Sequence, residues 1–334
     1  MKLADIGEFG LIHRIAPQFL PDVPQHSLGI GDDCAVLPHN DHESLLVTTD
    51  MLIQDIHFLR EKTRARDLGY KSLAVNLSDI AAMGGIPTAA FLSLAVPTDI
   101  SVDWLDDFFA GINDLAHKSA TPLLGGDTTK SKSGVIINIV VVGRVHPEKI
   151  KYRTTAQVGD VVCLTSEIGD SGGGLQIILH NLEDTNDSNI QQLLTAHHKP
   201  EPHLPQGVWL ASQESVHAML DVSDGIDSDI KRIMEASQVG ARVDIASLPI
   251  SASLTKIANR FDWNAAEIAA TGGEDYCLLC TIHPDHYESV AAAFAKEFDN
   301  PLYQIGAIQA GHQLEYFDQN QKIDFAKHGW DHFK

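Results

Sequence analysis

Apolar positions along the chain change period often enough to separate helices from strands. Residues 3–15 suit a short helix. Residues 44–49 are a β-rich run that ends at Asp50. Over 66–83 apolar side chains recur at Leu68, Leu73, Leu77 and Ile80, a helical spacing, and Gly84-Gly85 supplies the stop. Residues 89–96 read as a buried strand, 103–118 as an amphipathic helix, and 135–145 (VIINIVVVGRV) as the clearest strand of the chain. A second round follows, with strands predicted over 160–165, 241–245 and 276–282. Helices are expected over 175–180, 204–220, 228–236 and 287–298, and 181–189 reads as a polar surface loop. Interleaved helices and strands imply a mixed α and β class. Pro147, after the long strand, marks a boundary between domains of residues 1–148 and 149–334.

The chain is uncharged from Ile80 to Thr98, which resembles a membrane span, but Gly84, Gly85 and Pro87 divide it into a helix end, a turn and a strand. The first twenty residues carry Asp5, Glu8, His13 and Arg14, so no secretory segment is expected. The expectation is a soluble cytoplasmic protein with no membrane partner.

Charge narrows the partners. Across 334 residues, 24 Lys+Arg oppose 45 Asp+Glu, a formal net charge of −21. That balance excludes a general binder of nucleic-acid backbones, which needs a basic face. Four cysteines, Cys34, Cys163, Cys277 and Cys280, are too few and scattered for a disulfide framework. Cys277 and Cys280 form a C-x-x-C inside a strand, where residues three apart face opposite sides, so a core role is expected.

The acidic residues recur in one local style, Asp beside Gly, Ser or Thr at the end of an element. The cases are Gly31-Asp32-Asp33, Thr48-Thr49-Asp50, Ser78-Asp79, Gly126-Asp127-Thr128 and Ser223-Asp224-Gly225, with Asp221 two residues before the last. Carboxylates on close-approaching backbone suit hard, oxygen-seeking cations such as Mg²⁺. Taken singly, each is as well read as a turn or an N-cap. Asp79 is the most telling, since it lies in an apolar helix with Ser72 and Asn76 behind it at helical spacing. Its alternative is a solvent-facing polar stripe.

The common phosphate devices, a P-loop and a G-x-G-x-x-G after a strand, are missing, as is the kinase H-R-D and D-F-G set. ATP bound to so acidic a site therefore requires several divalent cations between the charges. A rival motif is Gly169-Asp170-Ser171-Gly172-Gly173, a G-x-S-x-G with Ser171 as the nucleophile of a serine hydrolase. Most of the 17 histidines sit in polar loops, whereas His57 follows the Asp50 turn.

In order, GIGDDCAVL (29–37), TTDMLIQDIHF (48–58), YKSLAVNLSDIAAMG (70–84), LLGGDTTK (123–130), RTTAQVGD (153–160), DVSDG (221–225), GGEDY (272–276) and GWDHF (329–333) resemble the thiamine-monophosphate kinase family from end to end. That family belongs to the superfamily of aminoimidazole ribonucleotide synthetase and selenophosphate synthetase. The resemblance implies transfer of the ATP γ-phosphoryl to thiamine monophosphate, in line and without a phosphoenzyme. It implies that Asp33, Asp50, Asp79, Asp127 and Asp221 hold several Mg²⁺ ions, with oxygens from Thr48 and Thr49, and that Asp224 holds a further ion. Gly126, Asp127, Arg153 and Ser223 are then ATP contacts. His57, Glu274 and Trp330 are thiamine phosphate contacts. The implied fold is α+β in two domains, of the aminoimidazole ribonucleotide synthetase type. Its N-terminal sheet forms a barrel across a homodimer. A regulatory nucleotide-binding scaffold is the non-enzymatic alternative.

Overall fold

The computed structural model describes residues 2–183, 186–319, 321–325, 329 and 333. The helix α2 (Ala65–Ala82) is its spine, following α1 (Gly7–Phe19) in the chain. The other helix of the first domain is α3 (Val102–Lys118). Its strands are β1 (Ala35–Pro38), β2 (Ser44–Ile53), β3 (Ile86–Val96), β4 (Leu123–Lys130) and β5 (Ile136–Val145), ordered β1-β2-β5-β3-β4 in one sheet. Neighbours run antiparallel except β3 and β4. Within one chain this sheet is open, with β1 and β4 as edges. Leu46, Leu52, Leu92, Ile137 and Ile139 point to its inner face, onto the core shared with α2 and α3. The two helices cross closely because Gly69 and Gly111 meet: a Cβ on either would lie within 2 Å of the other helix's carbonyl oxygen, at 1.9 Å from Phe108 O and 1.8 Å from Arg66 O.

The second domain contains β6 (Val161–Leu164), α4 (Asp170–Leu179), α5 (Ser188–His198), α6 (Leu204–Ala211), β7 (Val216–Asp221), α7 (Ile226–Ser237) and β8 (Gly240–Asp244). It continues with α8 (Ala252–Phe261), α9 (Ala265–Thr271), β9 (Leu278–Ile282), α10 (Tyr287–Phe298), β10 (Tyr303–Gln309), β11 (Leu314–Asp318) and β12 (Gln321–Ile323). Its sheet is ordered β12-β11-β8-β10-β6-β9-β7. Ala81 and Ala82 of α2 pack with Val216, Met219 and Leu278 of this domain, so one helix is core to both halves. No helix among the described residues is long and apolar enough to cross a membrane.

Two expectations need correction, and one alternative falls away. The helix expected over 204–220 stops at Ala211, and Val216–Asp221 is a strand. A short apolar run carries too little periodicity to separate the two, and in β7 nearly every residue is buried. The polar stretch 181–189 is not loop to its end, since α5 begins at Ser188. The stripe of Ser72 and Asn76 does not face solvent: both are buried, at 1% and 0% exposure, because α2 is covered on nearly all sides. Cys277 and Cys280 do pack into separate cores, on opposite faces of the strand, and all four cysteines are free and buried.

Candidate active site

Three carboxylates from distant parts of the chain converge where α2 meets the second domain. Asp33 lies in the turn before β1, Asp79 in the last turn of α2 and Asp221 at the end of β7. One oxygen from each lies within 4.8 Å of the others. Every one has a local reason for its position. Thr48, on the inner face of β2, donates its hydroxyl to Asp79 Oδ2. Ser78 Oγ donates to Asp221 Oδ2 at 2.5 Å. The Asp50 amide donates to Asn76 Oδ1 at 3.0 Å, fixing β2 against α2. The Arg153 guanidinium pairs with Asp33, and its backbone N–H donates to Asp32 Oδ2 at 3.1 Å.

Crowding sets the electrostatics. Burial first, then the charges of Asp50, Asp221 and Asp33, hold the Asp79 carboxyl well above the ordinary carboxylate range, against the Thr48 hydrogen bond. Burial and Asp33 push Asp221 up to about 8, and burial with Asp224 and Asp33 pushes Asp50 up to about 6. Asp32 rises to about 7 through burial and Asp33. Buried Asp229, beside Asp224 and Asp221, is raised as well. Burial opposes the Arg153 charge, but Asp33 and Asp32 outweigh it and hold that guanidinium charged. So many mutually repelling oxygen donors with so little cationic compensation form a ligand set for hard divalent ions. The residues present fit Mg²⁺.

The remaining expected residues are distributed more widely. Strand alternation puts Thr48 and Asp50 on the inner face of β2 and Thr49 on the outer face, where its hydroxyl accepts from Asn138 Nδ2 at 2.8 Å. Asp127 is exposed on edge strand β4, opposite Ser93 of β3. Asp50 pairs with Ile139, Ile139 with Leu92 and Leu92 with Gly126, so Asp127 lies three strands from Asp50, about 14 Å across one sheet. One chain therefore does not bring Asp127 to the cluster. Gly126 has φ +150°, and a Cβ there would meet Leu92 O at 1.7 Å, so the closeness of β4 to β3 requires glycine. His57 is half-buried and its Nδ1 accepts from the Ile53 amide at 3.0 Å. Ser223 O accepts from the Glu274 amide at 2.7 Å, joining the Asp221 segment to the Glu274 loop. The Asp224 amide donates to Asp229 Oδ2 at 3.2 Å. Trp330 lies outside the described residues.

Sequence reasoning named Asp32 only within the Gly31-Asp32-Asp33 turn, and it did not single out Asp229 or Lys71. Asp229 was signalled by the spacing of Asp221, Asp224, Asp227 and Asp229, and Lys71 by being the one cation inside the apolar stretch 68–78. Ser171 is no exposed nucleophile. It is 1% exposed in the first turn of α4, and its Oγ lies 3.2 Å from His197 Nδ1. That same nitrogen lies 3.3 Å from Glu274 Oε2. A Ser-His-acid relay needs opposite ring nitrogens for its two partners, so the arrangement does not make one. A recess of ≈ 720 Å³ beside α3, lined by Phe109, Asn113 and Leu123, contains none of the expected site residues.

This two-domain fold is that of the AIR synthase related proteins: residues 31–145 match the model of their N-terminal domain and 157–319 that of their C-terminal domain. Similarity extends over whole chains. The thiamine-monophosphate kinase of Haemophilus influenzae is 36% identical, covering 98% of each chain, and that of Bacillus subtilis is 34% identical, covering 98% of this chain and 99% of that protein. The solved structure of AaThiL complexed with AMPPCP and TMP matches with a TM-score of 0.87 at 29% identity, over 99% of both chains. The chain belongs to the thiamine-monophosphate kinase family of enzymes.

Proposed function

We propose that the protein transfers the γ-phosphoryl group of ATP to thiamine monophosphate, giving thiamine diphosphate and ADP. The observation that carries this reading is the convergence of Asp33, Asp79 and Asp221 between the two domains of a chain that matches thiamine-monophosphate kinases along their full length. The transfer is direct and in line, the acceptor phosphate oxygen attacking the γ-phosphorus as ADP leaves. No protein nucleophile is needed, and Ser171, the rival, is buried.

In this reading Asp33, Asp50, Asp79 and Asp221, with Thr48, hold several Mg²⁺ ions, and Asp224 holds a further one. When bound, these ions neutralise phosphate charge and link it to the carboxylates. Arg153 exchanges part of its pairing with Asp33 for a phosphate oxygen, and the backbone at Gly126 and Ser223 lines the nucleotide. His57, Glu274 and Trp330 contact the thiamine phosphate. The chain's residues supply position and charge, the two requirements of a loose phosphoryl transition state. Residues 1–148 carry most of the metal site and residues 149–334 complete it.

The first domain is also proposed to form a homodimer through the outer face of its sheet, the two sheets closing a barrel. That face exposes Met51, Phe91 and Leu124, at 50%, 39% and 63%, around polar Thr49 and Asp127. In the dimer Asp127 of the partner subunit approaches Thr49 on that face, which its own chain holds three strands away. The protein works in the cytoplasm, where ATP and Mg²⁺ are supplied.

Purified protein with Mg²⁺ and ATP should release ADP only when thiamine monophosphate is added, with thiamine diphosphate formed in equal amount. ADP release indifferent to that acceptor counts against the reading, and ester hydrolysis lost in Ser171→Ala would restore the hydrolase.

A further inference from the structure

Lys71 is 2% exposed on α2, the one charged residue between Leu68 and Ser78. A buried ammonium is costly unless paired, and an aliphatic side chain would fill the same space. Its partner is on the other domain: Lys71 Nζ lies 2.7 Å from Glu274 Oε1. The second oxygen of Glu274 faces His197 Nδ1 at 3.3 Å. Burial, then the Lys71 charge, lowers the pKa of His197 well below its ordinary value and keeps the ring neutral. Glu274 is thus gripped from both sides, with about a quarter of its side chain open to solvent.

Its backbone is equally constrained. Glu274 and Tyr276 take left-handed conformations, φ +65° and +51°, unfavourable for residues with a Cβ. Hydrogen bonds from the Glu274 amide to Ser223 O and from the Tyr276 amide to Val222 O, at 2.7 and 2.8 Å, hold that shape against the segment carrying Asp221. On α2, Lys71 precedes Asp79 by eight positions, about 12 Å along the axis. The Lys71–Glu274 pair therefore sits two helical turns from the carboxylate cluster, and the Glu274 loop is bonded to the Asp221 segment.

We infer that Lys71 is a positioning residue that holds Glu274 in a single orientation, so that its open edge selects the ring end of the acceptor. This rests on the reading under Proposed function. The acceptor's phosphate belongs at the carboxylate cluster. Its other end carries a thiazolium cation and an amino-bearing pyrimidine, both suited to a fixed carboxylate.

The test compares steady-state kinetics of wild type, Lys71→Met, Lys71→Arg, Glu274→Gln and the Lys71→Met/Glu274→Gln double variant. Lys71→Met should raise KM for thiamine monophosphate by about tenfold or more, the scale of one charged contact, while kcat and the KM for ATP stay within about twofold. Lys71→Arg should recover most of the loss, and the double variant should be no worse than Glu274→Gln alone. Should Lys71→Met not fold, Lys71→Gln takes its place. An unchanged acceptor KM, parallel loss of ATP affinity and kcat without rescue by Lys71→Arg, or additive effects in the double variant would each overturn the inference while leaving the kinase reading intact. Wild-type protein that does not phosphorylate thiamine monophosphate overturns the kinase reading and this inference with it.

Discussion

Ser78 on α2 donates its hydroxyl to Asp221 at the end of β7, 143 positions later, and so bonds the two domains directly beside Asp79. The bond is buried on both sides. It fixes the relative position of two proposed metal ligands that the chain supplies from different sheets.

Ser78→Ala should therefore cost about 1–3 kcal/mol of stability, the range for losing a buried hydrogen bond to a carboxyl group. Urea unfolding of the metal-free protein measures it. Saturating Mg²⁺ should recover part of the loss by giving Asp221 another partner. A shift of the midpoint too small to resolve would show that the contact between domains is carried by packing alone.

Asp79→Asn keeps the shape and one acceptor but removes a charge from a crowded cluster. Turnover should fall at least about a hundredfold, or roughly 2.7 kcal/mol in transition-state stabilisation. Without metal, the same variant should melt at or above the wild-type temperature, because burial and three neighbouring carboxylates already oppose its ionisation. Asp127→Asn should lose comparable activity with no gain in melting temperature, since Asp127 is exposed and away from the cluster. A drop in melting temperature with near-normal turnover for Asp79→Asn would identify that side chain as a structural cap.

Much of the site was legible because its residues sit where local rules are strong. The α2 stop at Gly84-Gly85, the strand β5 and the Asp-with-small-residue turns were readable from periodicity and turn chemistry alone. Asp79 and the turns that carry Asp33 and Asp221 were picked out that way, and the three carboxylates meet in space. What stayed hidden was set by tertiary partners. Strand β4 is exposed and glycine-rich, so no alternation marks it. Residues 216–221 are buried on both faces and read as more helix. Whether Ser72 and Asn76 faced water depended on what packs on α2, and β2 reaches Asn76 through the Asp50 amide. The distance of Asp127 from the cluster follows from strand order, which the pattern of one chain does not encode, whereas Thr49 leaves the cluster by strand alternation.

Stability of the metal-free protein should fall as pH rises from about 7 to 8.5. Asp32, at about 7, and Asp221 and Asp275, at about 8, are raised from an ordinary 3.8, chiefly by burial. Through this window the unfolded chain has already released these protons, whereas the folded chain gives up that of Asp32 near 7 and those of Asp221 and Asp275 near 8. Ionising them in place disfavours the folded state, by up to about 1.4 kcal/mol per pH unit for each proton retained. His198 and His203, lowered to about 4, act in the opposite sense only below their ordinary 6.5, where the unfolded chain gains protons first. Thermal melts across pH 7–8.5 should show the decline, and saturating Mg²⁺ should flatten it. A metal-free melting temperature that rises over this range would contradict the electrostatics of the cluster.

Asp127 gives the most discriminating test of the dimer. If each site combines Asp79 of one chain with Asp127 of the partner subunit, then Asp79→Asn and Asp127→Asn homodimers are both inactive. Mixing them by unfolding and refolding together yields heterodimers in which one site receives both substitutions and the other neither. With random pairing, half of the dimers are mixed and one site in two is intact, so activity should return to about one quarter of wild type. If Asp127 instead serves its own chain, every site in the mixture carries one substitution and activity stays at the level of the separate variants. Charge introduced on the outer face, as in Met51→Asp, should abolish the recovery by preventing association, with sedimentation reporting the single chain. Recovery without a dimer in sedimentation would overturn the shared-site account.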